Sequence, residues 1–234
     1  MKANLTRRLA AEFLGTLMLL IAVVGSGIMA ERLAGGNLAI ALLANTIATG
    51  AALVALIFTF GPISGAHFNP AVTISNALVG GIKWNEAFLY LAVQAIGAVF
   101  GVMIANLMFE LPAIFPSTKV RTGPAQWLGE FVATFGLLTV IWGCSRLHKT
   151  VVVPFAVAAY ITAAYWFTSS TSFANPAVTI ARSLSDTFAG IRPMDVPAFV
   201  IMQITGSLSA TLLFRWLVPT DKIEPIIVQH HEDI

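Results

Sequence analysis

Asn69-Pro70-Ala71-Val72-Thr73-Ile74 recurs letter for letter as Asn175-Pro176-Ala177-Val178-Thr179-Ile180. Two more landmarks keep the same order around each copy. Upstream, Glu12-Phe13-Leu14-Gly15-Thr16 answers to Glu130-Phe131-Val132-Ala133-Thr134; downstream, Gln94-Ala95-Ile96-Gly97 answers to Gln203-Ile204-Thr205-Gly206. The chain is therefore an internal repeat, with halves near 9–108 and 126–218 and a short polar tail at 219–234.

Composition places the repeat in a bilayer. Of 234 residues, 57% are hydrophobic and 10% charged, whereas charged residues make up about 25% of a soluble domain. Apolar runs long enough to cross lie near Leu9–Met29, Leu38–Phe60, Asn85–Met108, Gln126–Gly143, Thr150–Thr168 and Val196–Val218, against the ~20 residues that a span needs. Six crossings leave no room for a soluble catalytic module, so 1–234 reads as one transmembrane domain. The net charge of +2 is spread over loops and ends, which gives nucleic acid no basic stripe to bind. One cysteine, Cys144, and four histidines offer neither an internal disulfide nor a zinc spacing. No cofactor, no metal and no enzymatic motif is expected.

Gly61–Gly81 and Ser169–Gly190 do not fit as full spans. Each begins with turn-forming residues, becomes apolar at its Asn-Pro and stops after about three helical turns, or ~16 Å. That is half a bilayer. Non-helical backbone at that depth is tolerated only when it is buried in protein or lines a wet cavity, so both segments read as re-entrant loops ending in half-helices. Three full crossings per half is an odd number, so the second copy inserts upside down. The two half-helices then enter from opposite faces and their Asn-Pro tips meet at the midplane.

The residue types suit that meeting. Asn is a favoured helix N-cap, and Pro at the first helical position supplies the right φ without wasting an amide hydrogen. Each Asn also carries two side-chain N–H donors, and two positive helix ends converge on the spot. Water or a small polyol can accept hydrogen bonds there, while a cation meets like charge. With the N-terminus inside, Lys2, Arg7, Arg8, Lys83, Arg146, Lys149, Arg215 and Lys222 fall on the cytoplasmic side, against Arg32, Lys119, Arg121, Arg182 and Arg192 outside. That excess orients both termini to the cytoplasm.

These motifs, together with Gly65-Ala66-His67-Phe68-Asn69-Pro70-Ala71-Val72-Thr73, closely resemble the aquaporin and aquaglyceroporin (major intrinsic protein) family over nearly the whole chain. The resemblance implies an all-α membrane fold of six transmembrane helices and two half-helices. It also implies a homotetramer with one pore per subunit, passing water and small uncharged solutes through surrounding lipid. Short termini and loops fit a bacterial inner membrane. The resemblance makes Asn69, Pro70, Ala71, Asn175, Pro176 and Ala177 the pore midplane. The family usually has an Arg directly after its second Asn-Pro-Ala; here that place is Val178. Arg182, one turn further along, is expected to point elsewhere. Counting from the motifs puts the other constriction positions at Thr49, Ala163 and Ser172. That ring is small and uncharged, so the filter is expected to be wide and to admit polyols, urea or undissociated metalloid acids.

Glu12 and Glu130 sit in apolar spans, where an ionisable group acts in a relay or is structurally paired. Their relation by the repeat favours the second role, in which each carboxylate holds a re-entrant loop; Gln94 and Gln203 are read the same way. His67 is either a pH gate or a loop-packing residue, with packing favoured. Gly97 and Gly101, and more loosely Gly206 and Ala210, mark close helix approach. His230 and His231 read as a solvated tail. A secondary transporter is the competing function, since it too uses inverted repeats and broken helices. Saturating, ion-coupled flux would distinguish it from a channel.

Overall fold

The computed structural model describes residues 3–146 and 150–218, so His230 and His231 lie outside the described residues. In chain order the helices are α1 Leu5–Leu33, α2 Leu38–Ser64, α3 Pro70–Leu78, α4 Trp84–Met108, α5 Pro124–Arg146, α6 Val153–Phe167, α7 Pro176–Arg182 and α8 Val196–Leu217. Asparagine starts four of them. The side chains of Asn4, Asn37, Asn69 and Asn175 each accept hydrogen bonds from first-turn amides of α1, α2, α3 and α7, which satisfies donors that a helix otherwise leaves open.

α1, α2, α4, α5 and α8 are long and apolar enough to cross a membrane. α6 has 15 residues, or about 23 Å at 1.5 Å per residue, and is too short alone. A 3₁₀ turn at Thr150–Val152 precedes it and adds about 6 Å. The sixth expected span is thus a helix plus a turn.

Several boundaries differ from the sequence reading: α1 runs four residues past the expected Leu9–Met29 at each end, to Leu5–Leu33, and two more differences bear on the re-entrant segments. α2 does not stop at Phe60 but runs through Gly61 and Pro62 to Ser64, ending on Gly65 at φ +92°. Pro62 removes one backbone bond, whereas leaving the helix at depth would strand several. Gly65 ends it because glycine takes the left-handed conformation at no steric cost. α7 has 7 residues, two turns rather than the expected three.

The helices pair in the same way in both halves. α1 packs on α4 and α2, α5 packs on α8 and α6, and α2 meets α6 across the middle. Both half-helices, α3 and α7, pack against both α4 and α8, which interlocks the halves. Glycine permits the closest approaches. A Cβ on Gly97 of α4 would lie 2.5 Å from the Phe13 carbonyl oxygen of α1, and one on Gly206 of α8 would lie 2.5 Å from that of Phe131 on α5. Only backbone without a side chain fits there. Outside, Leu33, Phe88, Leu107, Phe155, Leu212 and Trp216 are exposed, an apolar surface that suits lipid.

Candidate functional site

The short helices α3 and α7 meet tip to tip. Asn69 Nδ2 donates to the Ala174 carbonyl at 2.8 Å, and Asn175 Nδ2 donates to the Phe68 carbonyl at 2.8 Å. Each Oδ1 is turned back on its own helix: Asn69 accepts from Ala71 N at 2.9 Å, and Asn175 from Ala177 N at 3.0 Å and Val178 N at 3.3 Å. This amends the sequence expectation of two free donors per asparagine. One N–H of each amide is spent crossing to the other half, and one is left.

The backbone leading into each tip is held in a costly conformation. Ala66 and Phe68 have φ +48° and +47°, and Ser172 and Ala174 both have φ +50°. A left-handed residue with a side chain costs roughly 1–2 kcal/mol, so something must hold these four. The buried carboxylates do so. Glu12 accepts from Ser64 Oγ at 2.6 Å, His67 N at 2.9 Å and Phe68 N at 2.8 Å; Glu130 accepts from Phe173 N and Ala174 N, both at 2.9 Å. Behind them Gln94 Nε2 bridges Glu12 to Thr73 Oγ1 at 2.9 and 3.0 Å, and Gln203 Nε2 bridges Glu130 to Thr179 Oγ1 at 2.6 and 2.7 Å. The donors to these carboxylates are loop amides, a glutamine and, for Glu12, the hydroxyl of Ser64 at the end of α2, so the carboxylates read as braces. His67 is buried, with Nδ1 3.0 Å from Thr73 Oγ1 and Nε2 3.3 Å from Asn76 Nδ2.

A cavity of about 80 Å³ runs past both asparagines. A site needs ~10–15 Å³ on this measure to hold one water, so several fit in line. Its lining includes Asn69, Asn175 and the loop residues Gly65–Phe68 and Ser172–Ala174. The rest of the lining is mostly aliphatic: Leu19 and Val23 of α1, Leu53 and Ile57 of α2, Leu137 and Ile141 of α5, and Val153, Val157 and Ile161 of α6. Both half-helices present a valine to it, Val72 and Val178.

At the α7 end, Thr49, Ser172 and Val178 line the cavity as expected by counting, but Ala163 does not. Ala163 is exposed on the outward face of α6. The cavity-facing row on that helix is Val153, Val157, Ile161 and Tyr165, and two residues from Ile161 is about 200° around the helix. The expected small residue is thus replaced by Tyr165, whose hydroxyl donates to Thr49 Oγ1 at 3.4 Å. The helix is apolar nearly all round, so no signal in the sequence singles this row out. Ser172 Oγ is buried and has no hydrogen-bond partner among the described residues. Arg182 also lines the cavity, contrary to the expectation that it points elsewhere.

The helix pairing, the two half-helices and the crossed asparagines describe one architecture, and comparison with known proteins gives the same answer. The major intrinsic protein family matches residues 1–152. Aquaglyceroporin AqpS of Rhizobium meliloti (strain 1021) is 55% identical over 97% of this chain and 95% of its own. The chain belongs to the major intrinsic protein family. Aquaporin AqpM of Methanothermobacter marburgensis is 31% identical over 92% of this chain and 98% of its own. Among solved structures, the aquaglyceroporin of Plasmodium falciparum superposes with a TM-score of 0.68 at 20% identity, covering 92% of this chain and 98% of that one; this likeness concerns the fold. As a member of this family the protein is a multi-pass membrane channel and not an enzyme, which displaces the transporter alternative.

Proposed function

We propose that the cavity is a passive pore for water and small uncharged solutes of glycerol size, including urea and undissociated metalloid acids. The observation that carries this reading is the mixed cavity wall: asparagines and loop residues at the half-helix tips, and a long aliphatic lining from α1, α2, α5 and α6. A polyol is mixed in the same way, with hydroxyls that need partners and a carbon chain that needs none. The resemblance of this chain to a protein named an aquaglyceroporin supports it. Val178, in the place where the family usually carries Arg, widens the filter for solutes broader than water. The exposed apolar surface suits a homotetramer in the bacterial inner membrane, with both termini cytoplasmic and the α7 end of the pore facing out.

The test is a stopped-flow panel on purified protein in vesicles, comparing water, glycerol, urea and an uncharged metalloid acid. The expected result is non-saturating flux for all four, with Val178→Arg slowing the three larger solutes more than water. Equal solute uptake by the wild type and Val178→Arg would remove the filter assignment. Absence of solute uptake in both, with water flux intact, would restrict the pore to water.

A further inference from the structure

We infer that Arg182 supplies the fixed positive charge of this pore, turning cations away and donating hydrogen bonds to hydroxyl or carbonyl oxygens of neutral solutes, from one turn beyond Val178. The inference rests on the pore reading above. Residues four apart lie on one face of a helix, about 6 Å along its axis, and helical side chains lean back toward the N-terminus. Arg182 therefore reaches over the turn that carries Val178, and both line the same cavity. A valine at 178 leaves the room that a longer side chain would fill.

The guanidinium is held in place but not neutralised. Arg182 is 2% exposed. Its Nε donates to the Ala189 carbonyl, and its guanidinium carbon lies 3.4 Å from the centroid of the Phe173 ring, which Arg121 also approaches at 4.9 Å. Phe173 is itself fixed, since its amide donates to Glu130. No carboxylate pairs with Arg182 among the described residues; the ion pairs there are Arg8 with Glu86 and Arg192 with Asp195. Its two terminal nitrogens have no recorded acceptor among them either. A buried cation with free donors is expensive in a dry interior and is sustained where it faces a wet passage. The corresponding place in the first half holds Asn76, which is neutral and absent from the cavity wall, so the charge belongs to one end only.

The test measures sodium and proton leak through vesicles carrying wild type, Arg182→Met, Arg182→Gln, Arg182→Lys and the double variant Arg182→Met/Val178→Arg, each first shown to elute as the wild type does. Arg182→Met and Arg182→Gln are expected to raise the leak about tenfold or more, the factor that 1.4 kcal/mol of lost barrier gives. Arg182→Lys is expected to stay near wild type, and the double variant to restore exclusion by moving the charge back one turn. The Gln variant retains a donor for Ala189, so it reports on charge even if Met does not fold. A purely structural role, which needs the planar fork and its stacking, would leave Lys as leaky as Gln and would overturn the inference. So would an unchanged leak in both neutral variants. Wild-type water and glycerol uptake are measured alongside: absence of both would bring down the pore reading, whereas either flux with an unchanged leak would bring down only the role of Arg182.

Discussion

The two ends of the cavity are built on one plan and finished differently. Asn69 corresponds to Asn175, Val72 to Val178, Thr73 to Thr179, Phe68 to Ala174, His67 to Phe173 and Asn76 to Arg182. The first four pairs share geometry: the asparagines cross to each other, the valines face the cavity, the threonines meet the glutamines, and Phe68 and Ala174 hold φ near +50°. The last two pairs form one contact with opposite chemistry. At the α3 end, His67 Nε2 and Asn76 Nδ2 lie 3.3 Å apart, a neutral polar link. At the α7 end, the same two places hold an aromatic ring with a guanidinium across its face. Duplication kept what holds the tips together and let the flanking pair diverge, which is where selectivity can be set without disturbing the scaffold.

If the scaffold is common to both halves, breaking either brace is costly. Glu130→Ala would strand the Phe173 and Ala174 amides and the Gln203 side chain, and Glu12→Ala would strand those of His67, Phe68 and Gln94 together with the Ser64 hydroxyl. At about 1–3 kcal/mol for each buried orphan, both substitutions are expected to lose 3 kcal/mol or more, Glu12→Ala the more. Thermal melting of the detergent-solubilised protein checks this. A small loss at one site alone would show that the halves are not braced alike.

A gentler probe acts on the helix seams. Gly97→Ala and Gly206→Ala each drive a methyl to 2.5 Å from a carbonyl oxygen, an overpacking that costs about 1–3 kcal/mol. The equal distances predict equal losses in melting temperature. Smaller still is Phe173→Leu, which removes the ring beneath Arg182 and Arg121 at a cost of about 0.5–2 kcal/mol. It is expected to destabilise the α7 end by that amount. His67→Leu loses polar contacts instead, and the comparison sharpens if the two variants shift solute selectivity differently in the vesicle assay.

Much of this was legible in the sequence, and the part that was not has a physical cause. The identical hexapeptides and the carboxylates set a fixed distance upstream were enough to place Asn69 beside Asn175 and Glu12 and Glu130 behind the loops, because those contacts are backbone-directed and tolerate little variation. The register of α6 was harder to read. From Val153 to Phe167 only Thr162 and two tyrosines interrupt the apolar run, so composition does not tell the cavity side from the lipid side, and counting from Asn175 points to Ala163 instead of Tyr165. Arg182 differs from its expectation for another reason: a long side chain reaches back along its helix, which residue spacing alone does not show. The split of the asparagine donors, one crossing and one free, depends on how closely the tips approach, which no spacing encodes.

The smallest expected effect concerns the cations near the α7 end. Lys119, in the loop between the halves, donates from Nζ to the Phe188 carbonyl at 2.7 Å and lies 4.7 Å from that ring. Burial pushes its pKa down to about 8, and the charges of Arg121 and Arg182 push in the same direction. The unfolded chain, with an ordinary lysine near 10.5, therefore binds more protons than the folded one between about pH 8 and 10.5. Stability must then rise with pH across that window. The contribution is complete above the upper value and is lost as pH falls through the lower one. Because Lys119 is only partly buried, solvent screens much of the effect, and a shallow slope is expected. Melting curves between pH 7 and 10.5 should show it in the wild type and not in Lys119→Met. Removing one of the repelling charges with Arg182→Gln should flatten the slope without abolishing it. If the slope is unchanged by that substitution, Lys119 does not sense Arg182, and the cationic end is less of a unit than its geometry indicates.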